Sequence, residues 1–128
     1  MNLVDSSGWL EYFADGKNAD FFAPAVEDTN NLMVSTINIY EVFKNILLER
    51  DENAALQAIA VMQQAMIKDV DPAIALLASR LSIKNKLPMA DSLIWATAKL
   101  NDATLWTQYS DLKKFQRSNT KIKNKFLL

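Results

Sequence analysis

Short apolar runs alternate along the chain with longer stretches of helical spacing. Asn2-Leu3-Val4 reads as a short strand. Asp5, Ser6 and Ser7 then offer helix-capping oxygens, and Trp9, Leu10 and Phe13 give the following helix one apolar face. A second short helix is expected between Asn18 and Asp28, with Phe21, Phe22 and Val26 inward. Leu32 to Thr36 reads as a second strand. Thr36 or Asn38 can start the helix that carries Ile39, Tyr40, Phe43, Ile46 and Leu47. Residues 52–67 repeat the helical spacing with Leu56, Ile59, Met62 and Met66, and a strand is expected around Ile67 to Val70. Asp71 caps the next helix and Pro72 occupies its first turn, a position that suits both residues. That helix runs through Ile74, Leu77 and Leu81 to about Lys86. Pro88 opens another through Ile94, Trp95, Ala98 and Leu100. Ala103 to Thr107 is a strand, and Thr120 to Lys123 gives a last one at a sheet edge.

Strands that alternate with helices, without a tight hairpin signal, imply a parallel sheet covered on both faces. The expected class is α/β, an open three-layer α/β/α sandwich with a mostly parallel central sheet. No repeat, low-complexity tract or linker divides the 128 residues, so a single domain over 1–128 is expected.

Composition narrows the chemistry. Half the residues are hydrophobic, which is ample for one core, but glycine occurs only twice and histidine and cysteine not at all. Histidine-dependent triads, imidazole bases and HExxH zinc sites are thereby excluded. So are disulfides, thiol nucleophiles and thiolate metal cages. Two isolated glycines cannot write a P-loop or a GxGxxG turn. Carboxylates, lysines, tyrosines and hydroxyls remain.

The net charge is only −1, yet it is unevenly spread. Residues 1–30 set Lys17 against six acids, whereas residues 99–128 set seven bases against Asp102 and Asp111. A basic tail of Lys113, Lys114, Arg117, Lys121, Lys123 and Lys125 can attract a polyanion or simply be a solvated terminus. No apolar run approaches the roughly 20 residues that span a bilayer. The opening MNLVDSSGW has no basic leader, so a cytoplasmic protein without membrane attachment is expected.

Open parallel sheets bind ligands at the carboxyl ends of their strands. Asp5 directly follows the first strand, and Glu41 lies in the first turns of the helix after the second. Asp111 stands four residues beyond Thr107, the end of the fourth. A helix feeding a parallel strand runs antiparallel to it, so Asp91, in the first turn of its helix, reaches the same edge. Each acid also has an ordinary explanation. Asp5 can be a helix cap, Glu41 a surface partner of Lys44, Asp91 a first-turn acid and Asp111 a loop acid. Asp91 nevertheless heads the stripe of Ile94, Trp95 and Ala98, which points it inward. Carboxylates crowded on one edge repel one another unless a cation is present. With only oxygen ligands on offer, that cation is Mg²⁺ or Mn²⁺ and not zinc, a type of site that serves phosphoryl chemistry.

These blocks resemble the PIN-domain nucleases of the VapC-like toxin group in prokaryotic toxin–antitoxin operons. The segment VDSSGWLEYF (4–13) is similar to the family's opening strand and its acid at Asp5. STINIYEVFKNIL (35–47) is similar to the second block, with its glutamate at Glu41, and residues 87–115 to the third, with its aspartate at Asp91. The resemblance implies a magnesium- or manganese-dependent endoribonuclease acting on RNA, usually a homodimer, inhibited by a cognate antitoxin that inserts a segment into the active site. It implies Asp5 and Asp91 as main metal ligands, with Glu41 completing the site directly or through water. Thr107 and Ser6 are supporting residues. Related chains often carry an aspartate where Tyr109 stands, in a pattern like T-x-D-x-D-F. Asp111 matches the second acid, so either it supplies a fourth carboxylate or the site works with three.

Two other readings use the same residues. A non-catalytic PIN-like module would bind RNA or a protein, with Tyr109 in place of an acid. A receiver-like domain would accept a phosphoryl group at Asp69 or Asp71, at the end of the third strand.

Overall fold

The computed structural model describes residues 1–108 and 120–125. Five short strands form one sheet: β1 (Asn2–Val4), β2 (Leu32–Ser35), β3 (Met66–Lys68), β4 (Thr104–Thr107) and β5 (Ile122–Asn124). Their spatial order is β3-β2-β1-β4-β5, and every pairing is parallel. The helices are α1 (Ser6–Phe13), α2 (Ala19–Glu27), α3 (Thr36–Glu49), α4 (Glu52–Met62), α5 (Pro72–Asn85) and α6 (Met89–Leu100).

Period-two alternation on the strands divides the core. Leu3, Met33 and Leu105 face α5 and α6, where Ile74, Ala78, Leu81, Ile94, Trp95 and Ala98 bury them. Val4, Leu32 and Val34 face the opposite way and pack with Trp9, Phe22, Val26, Val42 and Met62 of α1–α4. This is the expected three-layer sandwich. Its handedness follows from chain order. From β1 the chain steps outward to β2 and β3, then returns past them to β4. Right-handed crossovers in opposite directions place their helices on opposite faces.

The local signals act largely as the sequence predicts. Asp71 caps α5 through Ile74 N at 2.8 Å with Pro72 in the first turn, and Lys86 ends the helix in the left-handed conformation at φ 53°. Of the basic tail, Lys121 and Lys123 sit at β5, where Lys121 pairs with Asp102 at 3.1 Å and Lys123 Nζ lies 6.0 Å from the Trp106 ring centre.

Three expectations need correction. The second strand stops at Ser35, and Thr36 is already helical, because the Ser35 hydroxyl caps α3. The inward face of α4 is Ala55, Ala58 and Met62, whereas Leu56 is 55% exposed, because α4 packs closely against α3 through small side chains. Met66 belongs to β3, which begins and ends earlier than the Ile67–Val70 expected. β3 is an exposed edge strand, so no buried alternation marks its ends.

The close packing of α1 on the sheet depends on Gly8. A Cβ there would stand 2.6 Å from Cε1 of Phe22 and 2.7 Å from Cγ1 of Val4. Alanine gains about 1 kcal/mol in helix propensity, but overpacking a rigid core loses about 1–3 kcal/mol. Gly8→Ala is therefore expected to lower the thermal unfolding midpoint. A Gly8→Ala midpoint at or above the parent's would refute this account of the α1–sheet contact.

Candidate active site

The strand order turns outward on either side of β1 and β4: β1 is followed by β2 on one side, β4 by β5 on the other. A crevice opens at the carboxyl ends of two such strands. Asp5 stands at one lip of it and Thr107 at the other. The Asp5 amide donates to Trp106 O at 3.0 Å and so extends the β1–β4 ladder by one step.

Asp5 then leaves the strand as the N-cap of α1. Its Oδ1 accepts from the Gly8 amide at 2.8 Å and from Ser7 Oγ at 2.9 Å, and its Oδ2 accepts from Thr107 Oγ1 at 2.5 Å. One oxygen thus serves as the α1 cap, and the other faces the end of β4. The residue is 6% exposed. Burial pushes its pKa above the ordinary carboxylate value. The Thr107, Gly8 and Ser7 donors pull the other way, and the charge of Asp91 adds to the rise. No lysine or arginine among the described residues forms an ion pair with it.

Asp91 occupies the first turn of α6, half-buried, above the buried Ile94, Trp95 and Ala98. Glu41 projects from α3, also half-buried, and its Oε1 accepts from Ser6 Oγ at 2.7 Å. Its possible partner Lys44 instead lies 5.5 Å from the Tyr40 ring centre. Asp5 thus bonds Thr107 and lies within reach of the charge of Asp91, and Glu41 bonds Ser6, the residue after Asp5. As these side chains stand, no three acids among the described residues are gathered tightly enough to hold a metal ion. Asp111 and Tyr109 lie outside the described residues, as do Lys113, Lys114 and Arg117.

Asn38 was not singled out as a site residue by the sequence, yet it is fully buried and donates from Nδ2 to Ser6 Oγ at 3.0 Å. A signal existed. Asn38 stands three residues after Ser35, the spacing of a capping box, and both reciprocal hydrogen bonds of that motif are present. Beside the site, an open groove of about 580 Å³ runs between α1 and the α3–α4 pair, from Ser7 and Gln108 past Leu10 and Ile46 to Arg50 and Val61.

The receiver reading is corrected by topology. A receiver-type sheet has the order 2-1-3-4-5, with its third strand central. Here β3 is at the edge, and Asp71 is occupied as the α5 cap and by Lys68 at 3.7 Å.

A carboxyl group with a raised pKa in the folded protein favours folding when protonated. That contribution is complete below the ordinary value of 3.8 and is lost as pH rises through the raised one. Asparagine keeps the capping oxygen and carries no charge. Asp5→Asn should therefore match the parent below pH 3.8 and gain on it as pH rises through the raised pKa, by a few degrees in Tm, the shift that about 1 kcal/mol gives in a chain of this size. Asp5→Ala, which loses the cap, should sacrifice about 1 kcal/mol even in acid. Parallel Tm–pH curves for parent and Asp5→Asn would contradict the assigned electrostatics.

The PIN domain family model matches residues 3–117. No curated protein matches the chain in sequence. Among solved structures, a toxin–antitoxin complex from Klebsiella pneumoniae is 23% identical with a TM-score of 0.72, covering 90% of each chain. VapC20 of Mycobacterium tuberculosis, described as a Sarcin-Ricin loop cleaving toxin, has a TM-score of 0.75 at 15% identity, over 94% of this chain and 96% of its own. FitAcB from Neisseria gonorrhoeae has a TM-score of 0.73 at 18% identity over the whole of both chains. These likenesses carry the fold, and the family model spans most of the sequence: the chain belongs to the PIN domain family.

Proposed function

We propose that the chain is a single-domain, Mg²⁺- or Mn²⁺-dependent endoribonuclease, the toxin of a toxin–antitoxin pair. The observation that carries this reading is Asp5, a buried carboxylate at the switch-point crevice, fixed by three donors and raised further by the charge of Asp91. An all-oxygen site with excess negative charge fits a hard divalent cation. Asp5 and Asp91 would hold the ion, Glu41 would complete the site directly or through water, and Asp111 is the candidate for a fourth carboxylate. When bound, such an ion lowers the pKa of water and offsets charge on a phosphodiester. The residues' own part is positional. Thr107 and the α1 amide fix the two oxygens of Asp5, and Ser6 fixes one oxygen of Glu41.

The proposed partners rest on the structural neighbours, of which several are complexes of a toxin with its antitoxin. A cognate antitoxin is therefore the expected inhibitor, and RNA the expected substrate. Leu47, Leu48, Leu56 and Val61, exposed on α3 and α4, leave apolar surface for a homodimer. Among the described residues no helix is long and apolar enough to cross a membrane, and the cytoplasm is the proposed location. The open spacing of the three acids favours one second reading, a PIN-like module that binds RNA or protein without cutting.

The deciding experiment incubates the chain, purified free of partners, with RNA and Mn²⁺ or Mg²⁺. Cleavage is expected, abolished by chelator and reduced at least about 100-fold by Asp5→Asn or Asp91→Asn, given the share that charge stabilisation contributes to such reactions. Asp91→Asn also removes the like charge beside Asp5, so it should unfold no earlier than the parent. RNA binding without cleavage, or equal cleavage by parent and variants, would establish the binding module instead.

A further inference from the structure

The hydrogen bonds around Ser6 have only one possible direction. A backbone amide can only donate, so the Ser35 N–H at 3.0 Å fixes the oxygen end of the Asn38 side chain. The other end of that amide is then its NH₂, which can only donate, and it faces Ser6 Oγ at 3.0 Å. Ser6 Oγ must accept there. Its single proton is left for Glu41 Oε1, 2.7 Å away. Asn38 is fully buried and Ser6 is 8% exposed, so water does not readily substitute for either partner.

From this chain of donors we infer that Asn38 is a positioning residue for Glu41, acting through Ser6. It ties the first turn of α3 to the first turn of α1, 32 positions apart in sequence. It also commits the Ser6 hydroxyl as a donor, which holds Glu41 as an acceptor against the residue that follows Asp5. The α3 cap and the site are therefore built from one side chain. Its oxygen serves the helix and its nitrogen serves the carboxylate. This inference rests on the proposed metal-dependent reading, in which Glu41 completes the ion's coordination.

The test is a double-mutant cycle read by calorimetric Mn²⁺ titration and thermal unfolding of the full chain. Residues that orient a metal ligand typically change affinity 10–100-fold when removed. Ser6→Ala and Asn38→Ala should each weaken Mn²⁺ binding about tenfold, and the double variant should show the same tenfold loss and not the product, because both break one chain. Ser6→Thr, which retains the hydroxyl, should recover most of the affinity. Unfolding should behave differently. Asn38→Ala also loses the Ser35 contact, so its Tm should fall below that of Ser6→Ala. Multiplicative losses, or Ser6→Ala binding Mn²⁺ within twofold of the parent, would overturn the inference. Should Asn38→Ala fail to fold, Ser6→Ala and Ser6→Thr still decide it. Failure of the metal reading is distinguishable, since the parent and Asp5→Asn would then bind Mn²⁺ equally weakly.

Discussion

Asp5 is the point at which four parts of the chain meet. Its amide extends the pairing of β1 with β4, one oxygen caps α1, the other accepts from the last residue of β4, and its charge opposes that of Asp91 on α6. Each link constrains a different element. The ladder step aligns the two central strands, the cap sets the direction in which α1 departs, and Thr107 fixes where β4 ends. Moving this carboxylate would disturb all of them, whereas most surface acids touch a single neighbour. Gly8 belongs to the same arrangement. It donates the capping amide and, lacking a side chain, lets α1 approach Phe22 and Val4 closely enough for the cap to form.

The location follows from topology. In a sheet ordered β3-β2-β1-β4-β5, the crossovers part between β1 and β4, which opens a crevice at their carboxyl ends. Polar groups gather there. Ser35, Asn38 and Thr107 are fully buried, and Asp5 and Ser6 nearly so. Each would lose about 1–3 kcal/mol if left without a partner, and hydrogen bonds satisfy them in two groups, Ser35–Asn38–Ser6–Glu41 and Thr107–Asp5, which meet where Asp5 and Ser6 adjoin in the chain. Between the sheet and α5–α6 a large apolar cluster forms, and the buried Ser92, Thr97 and Asn85 there bond to carbonyls of their own helices. Both faces of the sheet are close-packed, and the side-chain hydrogen bonds that join different elements concentrate at the crevice.

How legible this was depended on whether a signal was local. Capping pairs such as Asp71-Pro72, strand runs such as Leu3-Val4 and the α6 stripe of Ile94, Trp95 and Ala98 state their structure within a few residues, and all three are found. Asp5 and Asp91 were legible because one topological rule converts position in an element into position at a sheet edge. What escaped was relational. The exposed Leu56 and buried Ala55 and Ala58 reflect how near α3 lies, which periodicity within α4 does not encode. Asn38 reads as a plausible helix start. Its second partner, Ser6, is 32 residues away and becomes visible only when the two helix starts are placed side by side.

The same arrangement bears on why an acid at this point would serve a cation. Hydrogen bonds from Thr107, Gly8 and Ser7 favour the carboxylate anion and fix its orientation, while burial and the charge of Asp91 disfavour it. The opposition is not balanced, since the pKa is raised overall. A structural cap would be better served by leaving out the second acid. Retaining Asp91 beside a buried, oriented Asp5 makes sense where a positive charge arrives from outside, because the attraction of both carboxylates to a divalent ion outweighs their mutual repulsion. The position is prepared by the fold, and the missing charge is what the proposed chemistry supplies.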